Sequence, residues 1–304
     1  AIHPNEEGAA VLAQTVYSAI TGNYGGLKVS DVFGDNMVLQ RDMPFSLSGT
    51  SDAGDNIVIM IDGRKYEAVT GKDGCWSVDI EPLSAKRNIE VSVSNGSQSI
   101  EFRNVAVGEV WLCSGQSNME FMLKNSIGAE KEIGMSECSD IRLFDMKAAW
   151  RTDAVEWPES ALDSVNHLDY YRKKGWKECN PESVRDFSAV AYYFGKMLHD
   201  SIGVPVGLIC NAVGGSTTES WIDRETLETE FHPILKDWRN NDFIQKWARE
   251  RASLNIRKSK SALQRHPYEP CYLFESGIIP LDRYPVKGVI WYQGESNAHN
   301  MEAH

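Results

Sequence analysis

Apolar and polar positions change their rhythm twice along this chain. In residues 1–22, Ala9, Ala10, Val11, Leu12, Ala13, Val16, Tyr17 and Ile20 recur at three- and four-residue spacing, which predicts one helix. Gly22 stops it, and Gly25-Gly26 reads as a linker. From 27 to 107 short runs follow one another: Met37–Leu39, Ile57–Ile61, Trp76–Ile80 and Ile89–Val93, the last two alternating strictly. Turn signals part them at Asp62-Gly63, Lys72-Asp73-Gly74 and Asn95-Gly96. Strands so closely spaced, with no helix between them, predict an antiparallel β-sandwich of about 80 residues.

After Val107 strand-like apolar runs alternate with helical stretches. Val110–Cys113, Val206–Val213 and Val286–Tyr292 read as buried strands. Val184–Ser201 reads as an amphipathic helix carrying Phe187, Val190, Tyr193, Phe194, Met197 and Leu198, and 225–264 as a mostly helical, charged layer. This alternation predicts an α/β unit, a parallel sheet with helices on both faces. Such sheets bind ligands at the carboxyl ends of their strands. Each strand here runs into a polar loop: Ser114–Glu120, Gly214–Trp221 and Gln293–Asn297. Three loops on one edge can build one site.

Bulk properties narrow what that site serves. The 304 residues suit about two domains of roughly 150 each. A formal charge of -12 and a pI near 5.1 argue against nucleic acid or an anionic membrane surface as partner. No apolar run approaches the roughly 20 residues that span a bilayer, so no membrane insertion is expected. The six cysteines are scattered without a CxxC pair and suggest neither a disulfide framework nor a zinc site. Cys113 and Cys210, which end apolar runs, read as buried free thiols. HExxH, EF-hand, Walker and GxGxxG patterns are missing, so neither metal nor cofactor is expected.

A serine placed just before a helix has backbone N–H groups around it that can hold an oxyanion when it attacks an ester. Ser117 fits that place, with Gly115 allowing a tight turn before it. The same position suits an ordinary helix cap, for Ser114 as for Ser117.

The block Cys113-Ser114-Gly115-Gln116-Ser117-Asn118-Met119-Glu120 resembles the nucleophile block of the sialate O-acetylesterase family, within the SGNH hydrolase superfamily. The resemblance extends over most of the chain. Val32-Phe33 with Asn36–Arg41 is similar to the start of that family's β-domain, and Val107–Trp111 to the junction into its catalytic domain. Gly214-Gly215-Ser216 with Trp221 resembles the second block, and Gly288–Asn297 the third. The resemblance implies an SGNH-type three-layer α/β/α fold and a Ser/His/Asp esterase in which Ser117 takes the acyl group. Gly215 would donate its N–H to the oxyanion, and a third-block amide would complete the hole. Where the superfamily usually has Gly-x-Asn-Asp, this chain has Gln293-Gly294-Glu295-Ser296-Asn297, so that amide is Gln293, the favoured choice, or Asn297. Asn297 could equally be a loop or capping residue. Gln116, Glu295 and Trp221 are substrate-binding candidates, although Trp221 and Trp291 also suit buried packing.

The family's Asp-x-x-His block, which would supply the base, is expected beyond His304, and Met301–His304 does not match it. His299 and His304 read as exposed helix residues, and His167, His199, His232 and His266 have no evident partner carboxylate. His3-Pro4-Asn5-Glu6-Glu7-Gly8 resembles instead the terminal block of a GDSL-type hydrolase. The expected organisation is therefore a remnant of an upstream esterase plus linker at 1–26, a β-sandwich at 27–107, and an SGNH-like domain at 108–304, its sheet incomplete at the C-terminus. The function implied is removal of acetyl groups from a sugar, sialic acid first and acetylxylan second, outside the cytoplasm in the periplasm or secreted. A different class, a carbohydrate-binding β module on an inactive support, would place sugar on strand-edge aromatics such as Trp76.

Overall fold

The computed structural model of the chain describes residues 6–172 and 175–298. They divide into two units, the first running to Gly108 and including Arg283–Pro285, the second taking the rest.

In the first unit the predicted helix forms as α1, Glu6–Thr21, and its apolar stripe is exposed, with Ile20 78% accessible. Seven strands follow, β1 (Lys28–Val29), β2 (Val38–Gln40), β3 (Phe45–Thr50), β4 (Asn56–Ile61), β5 (Arg64–Val69), β6 (Cys75–Ile80) and β7 (Lys86–Ser94). The eighth, β8 (Ser99–Gly115), begins here and carries on into the second unit. One sheet has the order β1-β3-β6, the other β5-β4-β7-β8. Asp62 and Gly63 both adopt positive φ in the β4–β5 hairpin, as a tight turn between twisted strands requires. Ile57, Ile59 and Ile61 of β4 are fully buried while Met60 between them is 37% exposed. Each buried isoleucine contributes about 1.5–3 kcal/mol. The sandwich departs from the expected antiparallel pattern at β2, which pairs parallel with β8, Val38 opposite Ala106. The long connection between these strands supplies the crossover that parallel pairing needs.

In the second unit residues 109–115 of β8 lie inside a sheet with β9 (Cys138–Asp145), β10 (Lys177–Cys179), β11 (Val206–Ala212) and β12 (Gly288–Tyr292). The order is β10-β9-β11-β8-β12, parallel except for β10. The helices are α2 (Ser117–Glu120), α3 (Ala129–Gly134), α4 (Glu159–Asn166), α5 (Pro181–Arg185), α6 (Ala189–Ile202), α7 (Arg224–Glu230) and α8 (Lys246–Asn255). Every residue of β11 is buried. Leu208, Cys210 and Ala212 join the core shared with α3, α5 and α6, while Asn211, pointing the other way, donates to the Gly277 carbonyl at 2.9 Å. Elements thus cover both faces, the mixed α/β architecture expected.

Three sequence expectations need correction. The helix over Val184–Ser201 is two helices, because Ser188 caps α6 by accepting the Ala191 N–H, and Asn180 caps α5 with Pro181 behind it. The 225–264 stretch holds only α7, α8 and short 3-10 turns. The strand at 286–292 is not buried: it forms β12, paired with β8, and Val289, Trp291 and Tyr292 are all about half exposed.

Candidate functional site

Pairing registers decide where the polar loops start. Gly115 at the end of β8 lies opposite Ala212 of β11 and Tyr292 of β12, so all three strands end at one level. The Val213 N–H donates to the Gly115 carbonyl and the Gln116 N–H to the Tyr292 carbonyl, each at 3.0 Å. Gly115 has φ of +137°, and a Cβ there would fall 2.1 Å from the Tyr292 oxygen. A glycine is therefore required at that position.

Ser117 opens α2 and is exposed. The cap position belongs to Gln116, whose side chain makes no capping bond but accepts the Ser296 N–H at 3.0 Å, tying the first loop to the third. The alternative that Ser114 or Ser117 is a helix cap is thus set aside; the buried Ser114 hydroxyl has no partner among the described residues. At four residues α2 is a single turn, so an aligned dipole contributes little there. Any oxyanion donor must come from individual N–H groups. Among the described residues nothing accepts from the Ser117 N–H or hydroxyl, nor from the Gly215 N–H.

The second loop is joined to the first by Glu120, whose Oε2 accepts the Gly214 N–H at 2.8 Å. Burial pushes the Glu120 carboxyl up, against the opposing pull of that N–H and of Arg151 and Lys147. The third loop is joined to the second by both amides predicted as oxyanion donors. Gln293 donates to the Ser216 carbonyl at 2.9 Å. Asn297 accepts from the Thr218 N–H and hydroxyl at 2.8 and 3.0 Å and donates to Glu219 at 2.8 Å. Asn118 reaches Glu295 across the first and third loops. Trp221 is buried, its indole N–H on the Ser216 hydroxyl and its ring edge-on to Trp291 at 5.7 Å.

A cavity of about 590 Å³ opens over these loops. Ser117, Gly215, Gln116, Glu120 and Glu295 line it, whereas Gln293, Asn297 and Trp221 do not. Residues from distant segments complete the wall, among them Arg151, Thr152, Trp247 and Arg251, with the Arg251 guanidinium 5.3 Å over the Trp247 ring. Periodicity offers no signal for these, since they belong to the irregular stretches between strands. Glu120 had one: it stands three residues after Ser117, on the same side of a helical turn.

No histidine lines the cavity among the described residues. His199 lies 3.4 Å from Asp140, His167 contacts the Asp163 carbonyl, and His232 is exposed. His266 is fully buried against Asn255 at 3.1 Å, and burial pushes its pKa down to about 3. His3, His299 and His304 lie outside the described residues. All six cysteines are free, and burial pushes the Cys113 and Cys210 thiols up. Among the described residues there is no cluster able to hold a metal ion and no helix long and apolar enough to cross a membrane.

Residues 107–304 match the family model described as carbohydrate esterase, sialic acid-specific acetylesterase. The chain is 29% identical over 245 residues to a sialate O-acetylesterase of Mus musculus, covering 77% of this chain and 44% of that protein. It is 26% identical to a sialate O-acetylesterase of Rattus norvegicus, covering 90% of this chain and 53% of the relative. Among solved structures it is similar to a carbohydrate acetylesterase from Xanthomonas citri, with a TM-score of 0.69 and 27% identity over 90% of this chain and 53% of that one. The chain therefore spans about half the length of the proteins it matches.

Proposed function

We propose, from the premise that this chain belongs to the sialic acid-specific acetylesterase family of carbohydrate esterases, that it carries the serine and oxyanion half of a carbohydrate O-acetylesterase site. The observation that carries this reading is the pairing of a Ser117 hydroxyl and a Gly215 N–H that have no partner among the described residues. Both face one cavity at the common end of parallel strands β8, β11 and β12. Ser117 attacks the acetyl carbonyl, and the oxyanion that forms is held by the Ser117 and Gly215 N–H groups. The resemblance assigns the third-block amide to Gln293 or Asn297, neither of which lines the described cavity. The Ser117 proton passes through the base to the departing sugar oxygen, leaving an acetyl ester on Ser117. Water then attacks that ester, returning a proton to the serine oxygen and releasing acetate.

No histidine among the described residues lines the cavity, so the base is read as a group that the described cavity does not contain. The chain alone is expected to be nearly inactive. Sialic acid is the preferred sugar. Its carboxylate suits the Arg151 and Arg251 guanidinium groups placed in the cavity wall of a chain whose net charge is -12. Trp76, the strand-edge aromatic named for the binding-module reading, is only 3% exposed, which favours the enzyme reading.

The test is turnover of an O-acetylated sialic acid by the full-length protein and its Ser117→Ala form, with the serine of any upstream esterase module disabled in both. Loss of the nucleophile should lower kcat by on the order of 10⁶-fold. Undiminished turnover would overturn the assignment.

A further inference from the structure

Gly215 has an N–H with no partner among the described residues, but the peptide group that carries it is held tightly from the other end. The Gly214 carbonyl, in the same peptide plane, lies 3.1 Å from the Tyr268 hydroxyl and 3.3 Å from the Thr152 hydroxyl. Those two hydroxyls are 2.8 Å from each other. Whichever way their hydrogens turn, at least one can donate to the carbonyl: Tyr268 directly, or Thr152 while it accepts from Tyr268.

Tyr268 is itself immobilised. It is fully buried, its N–H donates to His266 Nδ1 at 3.0 Å, and its ring meets those of Trp247 and His266 edge-on at 5.9 and 5.0 Å. Gly215 has φ of +75°, and a Cβ on it would fall 2.3 Å from the Tyr268 oxygen, so the loop backbone rests directly on the phenol. On the other side of Gly214, Glu120 takes its N–H.

We propose that Tyr268 and Thr152 are positioning residues of the oxyanion hole. They hold the Gly214 carbonyl so that the Gly215 N–H, trans to it in a planar peptide, is turned away from them and left free for the oxyanion. Donation to the carbonyl also polarises the peptide and strengthens its N–H as a donor. Neither side chain touches the reacting atoms; each acts through the peptide. This inference rests on the proposed role of Ser117 and Gly215 and adds the source of their geometry.

The experiment uses the full-length protein, with any upstream esterase serine disabled throughout. Tyr268→Phe, Thr152→Val, the double variant and Thr152→Ser are compared for kcat, for KM and for inhibition by a phenylboronic acid. That probe forms a tetrahedral adduct on a reactive serine. Loss of a whole oxyanion donor costs about 10²–10³-fold in kcat. Each single substitution leaves one hydroxyl on the carbonyl, so we expect about a tenfold fall for Tyr268→Phe, less for Thr152→Val, and about a hundredfold for the double variant. KM should change little, boronate affinity should fall in step with kcat, and Thr152→Ser should restore the wild-type values. If Tyr268→Phe does not fold, the Thr152 pair of variants decides alone. An unchanged kcat in the double variant, or a loss confined to KM, overturns the positioning role when Ser117→Ala is inactive. Activity in Ser117→Ala overturns the underlying reading instead.

Discussion

Strand β4 of the first unit and strand β11 of the second are both rich in branched aliphatic residues, yet they bury them differently. In β4 burial alternates, with Ile57, Ile59 and Ile61 inside and Met60 partly outside. In β11 it is continuous from Val206 to Ala212. A strand with one wet face can display polar side chains anywhere along its length. One covered on both faces has only its ends for polar chemistry, because unpaired polar groups inside would cost about 1–3 kcal/mol each. The candidate site accordingly lies where β8, β11 and β12 stop.

The strongest way to break this contrast is at the strand end itself. Gly115→Ala puts a Cβ against the Tyr292 carbonyl at an unfavourable φ, which should cost about 4 kcal/mol through strain and overpacking together. Urea unfolding of this chain would measure it; a loss under about 1 kcal/mol would show that the strand ends adjust freely. Substitution along the strands comes next. Leu208→Ala and Ile209→Ala, adjacent in β11, should each cost about 3 kcal/mol. In β4 only one neighbour should matter, with Ile59→Ala near about 3 kcal/mol and Met60→Ala below about 1 kcal/mol. Equal costs for Ile59 and Met60 would erase the distinction.

Two predictions concern the polar groups behind and within the site. His266 is held neutral, with its pKa pushed down to about 3 from an ordinary 6.5. The unfolded chain therefore binds a proton that the folded one refuses. The contribution is complete above pH 6.5 and is lost as pH falls toward 3, by about 2 kcal/mol between pH 6.5 and 5. Replacing His266 by Gln should flatten that part of the stability profile, and an unchanged slope would place the proton uptake elsewhere. Glu120 has the opposite sign and the smallest expected effect. Its carboxyl is pushed up by burial, so ionising it in the folded state costs stability as pH rises above about 4.5. Glu120→Gln keeps an acceptor for the Gly214 N–H and should raise the Tm at pH 7, with the gain vanishing below pH 4.5. A lower Tm at pH 7 would mean that the charge itself holds the loop.

Much of the site could be read from residues in order. The loops at Ser114–Glu120, Gly214–Trp221 and Gln293–Asn297 stood out because each follows an apolar run, and the parallel sheet made a common edge the natural place for them. The exposure of β12 was not legible, because Val289, Trp291 and Tyr292 are as apolar as the buried residues of β11. Whether such a strand is covered depends on what packs beside it. The helix break at Asp186–Ser188 was legible in principle, since Asn180-Pro181 and Ser188 are both capping signals, but the continuous apolar spacing masked it.

By itself the sequence determined the period of each segment, the places where the backbone must turn, and the residue types at the strand ends, because these depend on neighbours within a few positions. Only the tertiary structure decided the register that levels Gly115 with Ala212 and Tyr292. It alone committed Gln293 and Asn297 to bracing the second loop, and it alone set Tyr268 and Thr152 against the Gly214 carbonyl. The bonds to the second loop join residues 54 to 79 positions apart, and the Thr152–Tyr268 pair is 116 apart. No local propensity encodes such a pairing. It exists because folding buries the segments together, and their polar groups must then satisfy one another.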